Sequence, residues 1–165
     1  MVLPILEPNA SSVNGVFPGL AHGQLWYDWY TQTAVNAKPD VNTIIHAPLG
    51  HIPLYLRGGS VIPMQGPALT TRAVRNTNWG ILAALSSNKT ATGELYLDDG
   101  QSLHPNVTMD VRFHANRTSL SAAARGSWVE GNPLANVTVL GVERGPSEDN
   151  GVRFNKKRVS REQVV

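Results

Sequence analysis

Val107-Thr108-Met109-Asp110-Val111-Arg112-Phe113-His114 alternates between two faces without a break. Val107, Met109, Val111 and Phe113 point one way, and Thr108, Asp110, Arg112 and His114 the other. A period of two with one apolar and one wet face is a half-buried β-strand. Working back along the chain, Leu95 and Leu97 alternate with Glu94, Tyr96 and Asp98 in the same manner. Before them lies the continuous apolar run Ile81-Leu82-Ala83-Ala84-Leu85, separated by the turn-rich Ser86-Ser87-Asn88-Lys89-Thr90. These two segments are expected to form a β-hairpin with a loop longer than two residues. Ile52, Leu54 and Leu56 give another strand, stopped by Gly58-Gly59 and followed by Val61-Ile62, and Val137–Val142 is β-branched and bounded by turn residues.

No segment keeps a 3.6-residue period for the ten or more positions a helix needs. Ala68–Val74 and Ser119–Arg125 come nearest, with two turns at most. Short strands with Gly, Pro and Asn punctuation imply an all-β protein of the sandwich class. Most prolines and a dense aromatic cluster precede Met64-Gln65-Gly66-Pro67, and regular alternating strands follow it. The sequence therefore predicts two β-sandwich units, residues 1–66 and 67–165.

Composition agrees with that class. Of 165 residues, 41% are hydrophobic and 16% charged, against about 25% charged in an average soluble domain. Disorder needs the reverse balance, and no apolar run approaches the ~20 residues that span a bilayer. The sequence pI of 9.2 invites a nucleic-acid reading until the charge is located. Arg153, Lys156, Lys157, Arg158 and Arg161 against Glu162 give the last thirteen residues +4, leaving −2 on residues 1–152. The basicity is a tail and not a face interleaved with base-reading groups, so neither a nucleic-acid nor a membrane partner is expected.

The chain has no cysteine, which removes thiol chemistry, disulfides and cysteine zinc clusters. Asn-x-Ser/Thr sequons stand at Asn9, Asn88, Asn106, Asn116 and Asn136. With 13 Asn and 22 Ser plus Thr in 165 residues, chance gives 13 × 22/165, roughly 1.7. An excess to five points to an extracellular or secretory-pathway protein with glycans on loops and exposed strand faces. Met1–Pro8 lacks the basic start and unbroken apolar stretch of a signal peptide, so the chain reads as a piece of something longer.

The aromatic pentad Trp26-Tyr27-Asp28-Trp29-Tyr30 holds four aromatics in five residues. As a strand it sends Trp26, Asp28 and Tyr30 to one side and Tyr27 and Trp29 to the other. Such a cluster either stacks on sugar rings or fills a sandwich core, and the residues alone leave both open. Asp98-Asp99-Gly100 is the obvious carboxylate pair. Adjacent strand residues point to opposite faces, so the two cannot flank one glycosidic bond as a catalytic pair must. They are expected to end a strand and shape a turn. His22, His46, His51, His104 and His114 are scattered without metal-ligand spacing, and neither nucleotide-binding nor nucleophile-elbow motifs occur. No catalytic residue, cofactor or metal site is expected.

Taken together, these segments resemble the C-terminal region of the family 31 glycoside hydrolases, especially fungal α-glucosidases. The resemblance rests on Val2-Leu3-Pro4-Ile5-Leu6-Glu7-Pro8, on Trp26-Tyr27-Asp28-Trp29-Tyr30-Thr31, and on the long run from His46-Ala47-Pro48-Leu49-Gly50-His51 through Arg57-Gly58-Gly59-Ser60-Val61-Ile62-Pro63-Met64-Gln65. Trp79–Leu85 and Ala91–Ser102 extend it to roughly residues 2–142. In that family a (β/α)8 barrel carries an Asp nucleophile and an Asp acid/base. The Trp-x-Asp-Met-Asn-Glu-like nucleophile strand has no counterpart here. The resemblance thus implies a proximal sandwich and the beginning of a distal one, without the barrel that would be their partner and without activity of their own. It implies that Trp26, Tyr27, Trp29 and Tyr30 meet the barrel. The alternative is a free-standing carbohydrate-binding module whose aromatic strand takes an oligosaccharide. Without the barrel, part of the Trp26–Tyr30 and Ile52–Ile62 surface is expected to face water and promote self-association.

Overall fold

The computed structural model of the chain describes residues 1–143 and 153–158. Arg161 and Glu162 of the basic tail, and the end of the expected distal unit, lie outside the described residues. The strands are β1 (Ser12–Gly15), β2 (Trp26–Asp28), β3 (Thr43–His46), β4 (Tyr55–Arg57), β5 (Ser60–Gln65), β6 (Trp79–Ala84), β7 (Ala91–Leu97), β8 (Met109–Ala115), β9 (Leu120–Gly126), β10 (Leu134–Leu140), β11 (Arg153–Phe154) and β12 (Lys157–Arg158). One helical turn, α1 (Thr71–Val74), is capped by the Thr70 hydroxyl accepting from the Ala73 N–H. The chain is all-β.

The strands stack in layers. Antiparallel pairs β1–β3 and β2–β4 face each other across a core of Phe17, Trp26 and Ile45. The other face of β2–β4 packs Tyr27 and Leu56 onto Leu82, Ala84 and Leu140 of a six-stranded sheet ordered β10-β6-β5-β7-β8-β9. Within that sheet β5 and β7 share a single register pair, Ser60 with Thr92. From there the halves β10-β6-β5 and β7-β8-β9 splay and close over a third core of Val61, Ile81, Ala83, Leu85, Ala91, Val111, Phe113 and Ala115. Strand β6 is therefore covered on both faces, which is why its sequence is a continuous apolar run rather than an alternation. In β8 the alternation is kept, with Val111 and Phe113 buried and Asp110, Arg112 and His114 exposed.

Two sequence expectations meet a different structure. The hairpin expected between Ile81–Leu85 and Leu95–Leu97 does not form, because β5 lies between β6 and β7. The Ser86–Thr90 turn is closed by the Ser86 N–H donating to the Thr90 carbonyl at 2.9 Å. Two residues beyond that closure on either side, Gly59 enters the gap, donating to the Ala84 carbonyl at 2.7 Å and accepting from the Thr92 N–H at 3.0 Å. The turn was legible; the strand that wedges into it, Ser60–Gln65, comes from well upstream and was not. Second, Ser119–Arg125 is no helix. Leu120–Gly126 pairs with β8 over seven consecutive register positions, so tertiary pairing overrides the helix propensity of its three alanines. Of the Trp26–Tyr30 and Ile52–Ile62 surface, part of which was expected to face water, Tyr30 and Ile52 are exposed, and Trp26, Tyr27, Leu56 and Val61 are buried.

The composition change at residues 64–67 overlaps the end of β5, and β5 belongs to the sheet that continues beyond it. Strand pairing thus crosses residue 66. At the far end β11 and β12 form a small hairpin through Asn155-Lys156, both at positive φ, the turn geometry that right-handed strand twist favours.

Candidate functional site

The pentad is divided between two cores. The Trp26 indole N–H donates to the Pro18 carbonyl at 3.0 Å, and its ring packs 6.2 Å from Phe17 on the β1–β3 side. Tyr27 faces the other way and is 2% exposed. Its hydroxyl donates to the Leu85 carbonyl at 2.7 Å, 58 residues away, and burial raises its pKa above the usual phenol value. Gly141 lies against that hydroxyl so closely that a Cβ would collide with Tyr27 Oη, and its φ of +84° also disfavours any side chain. Tyr27 is the pin between the β2–β4 layer and the six-stranded sheet. Trp29 packs partly buried on the same core. The chain then turns, with Asp28 Oδ1 accepting from the Tyr30 and Thr31 N–H groups and the Thr31 hydroxyl. Tyr30 is half exposed, its ring centroid 4.5 Å from His51 and its hydroxyl donating to the Ile52 carbonyl. Of the four rings, two are buried, Trp29 is partly buried and Tyr30 is half exposed.

The carboxylate pair is spent on its own loop. Asp98 Oδ1 accepts from the Gly100 N–H at 2.8 Å and pairs with the Arg75 guanidinium at 3.2 Å. Asp99 accepts from the Ser102 hydroxyl and from the Ser102 and Gln101 N–H groups. Those bonds, the hydroxyl first, hold its pKa down to about 2. The Arg75 carbonyl in turn accepts from the Asn132 amide at 2.7 Å, so this corner ties α1, the exit of β7 and the approach to β10 together. Close by, burial pushes the Glu130 carboxyl up, yet hydrogen bonds from Asn132 and the Trp128 indole outweigh it and leave it below its usual value. The buried Trp79 indole N–H is directed at the same carboxylate without reaching hydrogen-bond geometry. Nothing in this corner places two carboxyl groups across a cleft.

Four of the sequon asparagines, Asn9, Asn88, Asn106 and Asn136, are exposed, and Asn116 is half buried with its Oδ1 accepting from Thr118 and Ser119. Lys89 and Arg117, the middle residues of two sequons, line one shallow groove of about 190 Å³ with Gly141, Val142 and Glu143. Lys89 Nζ bonds Glu143 at 3.1 Å there. His22, His46, His104 and His114 are exposed and apart, and among the described residues no three His, Asp or Glu side chains gather as a metal site would need.

Residues 1–62 match the glycosyl hydrolase family 31 C-terminal domain. This chain is a family 31 C-terminal region. It is 65% identical over 147 residues to an α-glucosidase of Aspergillus niger, covering 89% of this chain and 15% of the relative. An α-glucosidase of Aspergillus oryzae is 60% identical over 164 residues, covering 99% of this chain and 16% of the relative. The family 31 region thus spans about one sixth of the length of these curated relatives. Among solved structures, the DNJ-bound glucosidase II α subunit aligns with a TM-score of 0.63 at 25% identity, over 82% of this chain and 16% of that one. A Flavobacterium johnsoniae dextranase complexed with isomaltotriose gives a TM-score of 0.70 at 19% identity, over 88% of this chain and 18% of that one, which shows the shared fold.

Sequence reasoning missed two residues that hold the layers of this family 31 region. Gly93 sits inside β7, where a Cβ would collide with the Val61 carbonyl of β5; a glycine inside an alternating strand is the signal of such a close approach. Gly141 closes over Tyr27; the sequence reading placed it inside the Val137–Val142 strand, which ends at Leu140.

Proposed function

We propose that this family 31 region is the C-terminal accessory and structural part of a secreted α-glucosidase that hydrolyses terminal α-linked glucose from oligosaccharides with retention. Its partner is the catalytic (β/α)8 barrel of the same enzyme, which lies outside these 165 residues, and this region supplies no catalytic group, cofactor or metal. The proximal unit is residues 1–66 and the distal unit 67–165, with β5 carried into the distal sheet. The observation that carries the reading is the fate of the pentad: Trp26 and Tyr27 are built into two cores, with Tyr27 locking the layers together. That is the work of a scaffold rather than of a sugar-binding surface. The names of the relatives supply the activity of the parent, and the sequon excess supports its passage through the secretory pathway. Export implies glycans at Asn9, Asn88, Asn106, Asn116 and Asn136.

The test is the coding sequence upstream of Met1. An in-frame barrel with a Trp-x-Asp-Met-Asn-Glu-like strand is expected. A stop codon or an unrelated domain in frame would overturn the reading.

A further inference from the structure

We propose that an N-linked glycan on Asn136 guards the β10 edge of the six-stranded sheet against strand addition by a second copy of the chain, an inference that rests on the secretory reading above. Among the described residues β10 pairs with β6 alone and forms one edge of the sheet. An edge strand presents a row of unpaired N–H and C=O groups, which natural proteins blunt with charge, proline or cover. From Gly131 to Val142 the sequence carries no charged residue, and its second half, Val137-Thr138-Val139-Leu140, is β-branched or apolar. Leu134 and Val137 are partly open to solvent. Length, propensity and lack of charge make this an aggregation-prone edge. Pro133 and the register shift between Leu134 and Asn136 protect its entrance, and the four residues after Asn136 have no such device.

Asn136 stands at the head of that unprotected stretch. The Thr138 hydroxyl donates to Asn136 Oδ1 at 3.2 Å, which orients the amide, and Nδ2 has no partner among the described residues. Its cross-strand neighbour on β6 is Gly80, above which a Cβ would meet nothing nearer than 4.0 Å. The sheet face beside Asn136 therefore has room for the first sugar. Attachment forms a bond from Asn136 Nδ2 to C1 of the reducing-end N-acetylglucosamine of a lipid-linked oligosaccharide diphosphate. The C1–O bond to the diphosphate breaks, the lipid diphosphate leaves, and one amide proton is released. A strand adding to β10 would lie about 4.8 Å from it, within the volume such a glycan occupies.

The experiment expresses the 165-residue chain with an export leader from a eukaryotic host, maps glycopeptides, and measures sedimentation velocity over a concentration series. Wild type is compared with Asn136→Gln, Thr138→Ala and the turn-sequon control Asn88→Gln, each checked for wild-type circular dichroism. Asn136 is expected to be occupied. Losing its sequon by either substitution should bring self-association at about tenfold lower concentration, ~1.4 kcal/mol, while Asn88→Gln should match wild type. Val137→Lys added to Asn136→Gln should restore the wild-type profile. An occupied Asn136 whose two sequon variants sediment like wild type would overturn the edge-guard role. Glycans at other sequons with Asn136 bare would also overturn it and leave the secretory reading standing, whereas five bare sequons would overturn both.

Discussion

Replacing Tyr27 by Phe removes one oxygen from the contact that joins the β2–β4 layer to the six-stranded sheet. The hydroxyl is buried and its bond to the Leu85 carbonyl is 2.7 Å long. Gly141 is packed against the vacated position, which leaves little room for a replacement water. Leaving a buried acceptor without its donor costs about 1–3 kcal/mol. For a domain of this size ~2 kcal/mol corresponds to a fall in Tm of about 4–8 °C. Tyr30→Phe is the matched control, because its hydroxyl also donates to a backbone carbonyl but stands in water. An exposed change of that kind is worth within about ±0.5 kcal/mol. Both variants should be followed by urea unfolding with tryptophan fluorescence, comparing midpoints at constant m-value. If Tyr27→Phe and Tyr30→Phe shift the midpoint equally, the pin assigned to Tyr27 is wrong and the pentad is not divided as described.

Gly93→Ala should destabilise by about 1–3 kcal/mol through overpacking at the β5–β7 junction, whereas Gly131→Ala, with open space around it, should be neutral; thermal unfolding separates them. The Asp99 loop should be intact above about pH 4, the unfolded-state value for Asp, and lose its stabilisation as the pH falls through the folded value of about 2. A carboxyl NMR titration of Asp99 reads this directly, and an ordinary midpoint near 4 would contradict the Ser102 and Gln101 bonds. Peptide mapping of exported protein should find Asn88 and Asn106 glycosylated, since both are exposed outside strands; finding both bare would count against the placement of those two loops.

Local pattern carried much of the fold, and its failures have one cause. The alternation of β8 and the continuous run of β6 could be read because each is set by which faces a strand buries. The opposed directions of Trp26 and Tyr27 followed from strand period alone. What could not be read were contacts made far along the chain: Gly59 entering between β6 and β7, β10 running parallel to β6, and Tyr27 reaching Leu85. The Ala-rich β9 shows the same limit, since its local preference for helix yields to seven register pairs with β8. For the site, alternation predicted two faces for the pentad but not whether either was open. Only the positions of Leu82, Ala84 and Leu140 against Tyr27 decide that.

The most direct test of the scaffold reading is to offer the purified chain α-linked glucosides. Maltose and soluble starch are titrated while tryptophan fluorescence is followed, and p-nitrophenyl α-glucoside is supplied to the same host-free preparation. With Trp26 fixed in a core, Trp29 partly buried, and both carboxylates tied into a loop, no saturable fluorescence change and no release of nitrophenol should appear. Saturable quenching or a spectral shift would make the chain a carbohydrate-binding module, and turnover would place catalytic groups where none have been assigned.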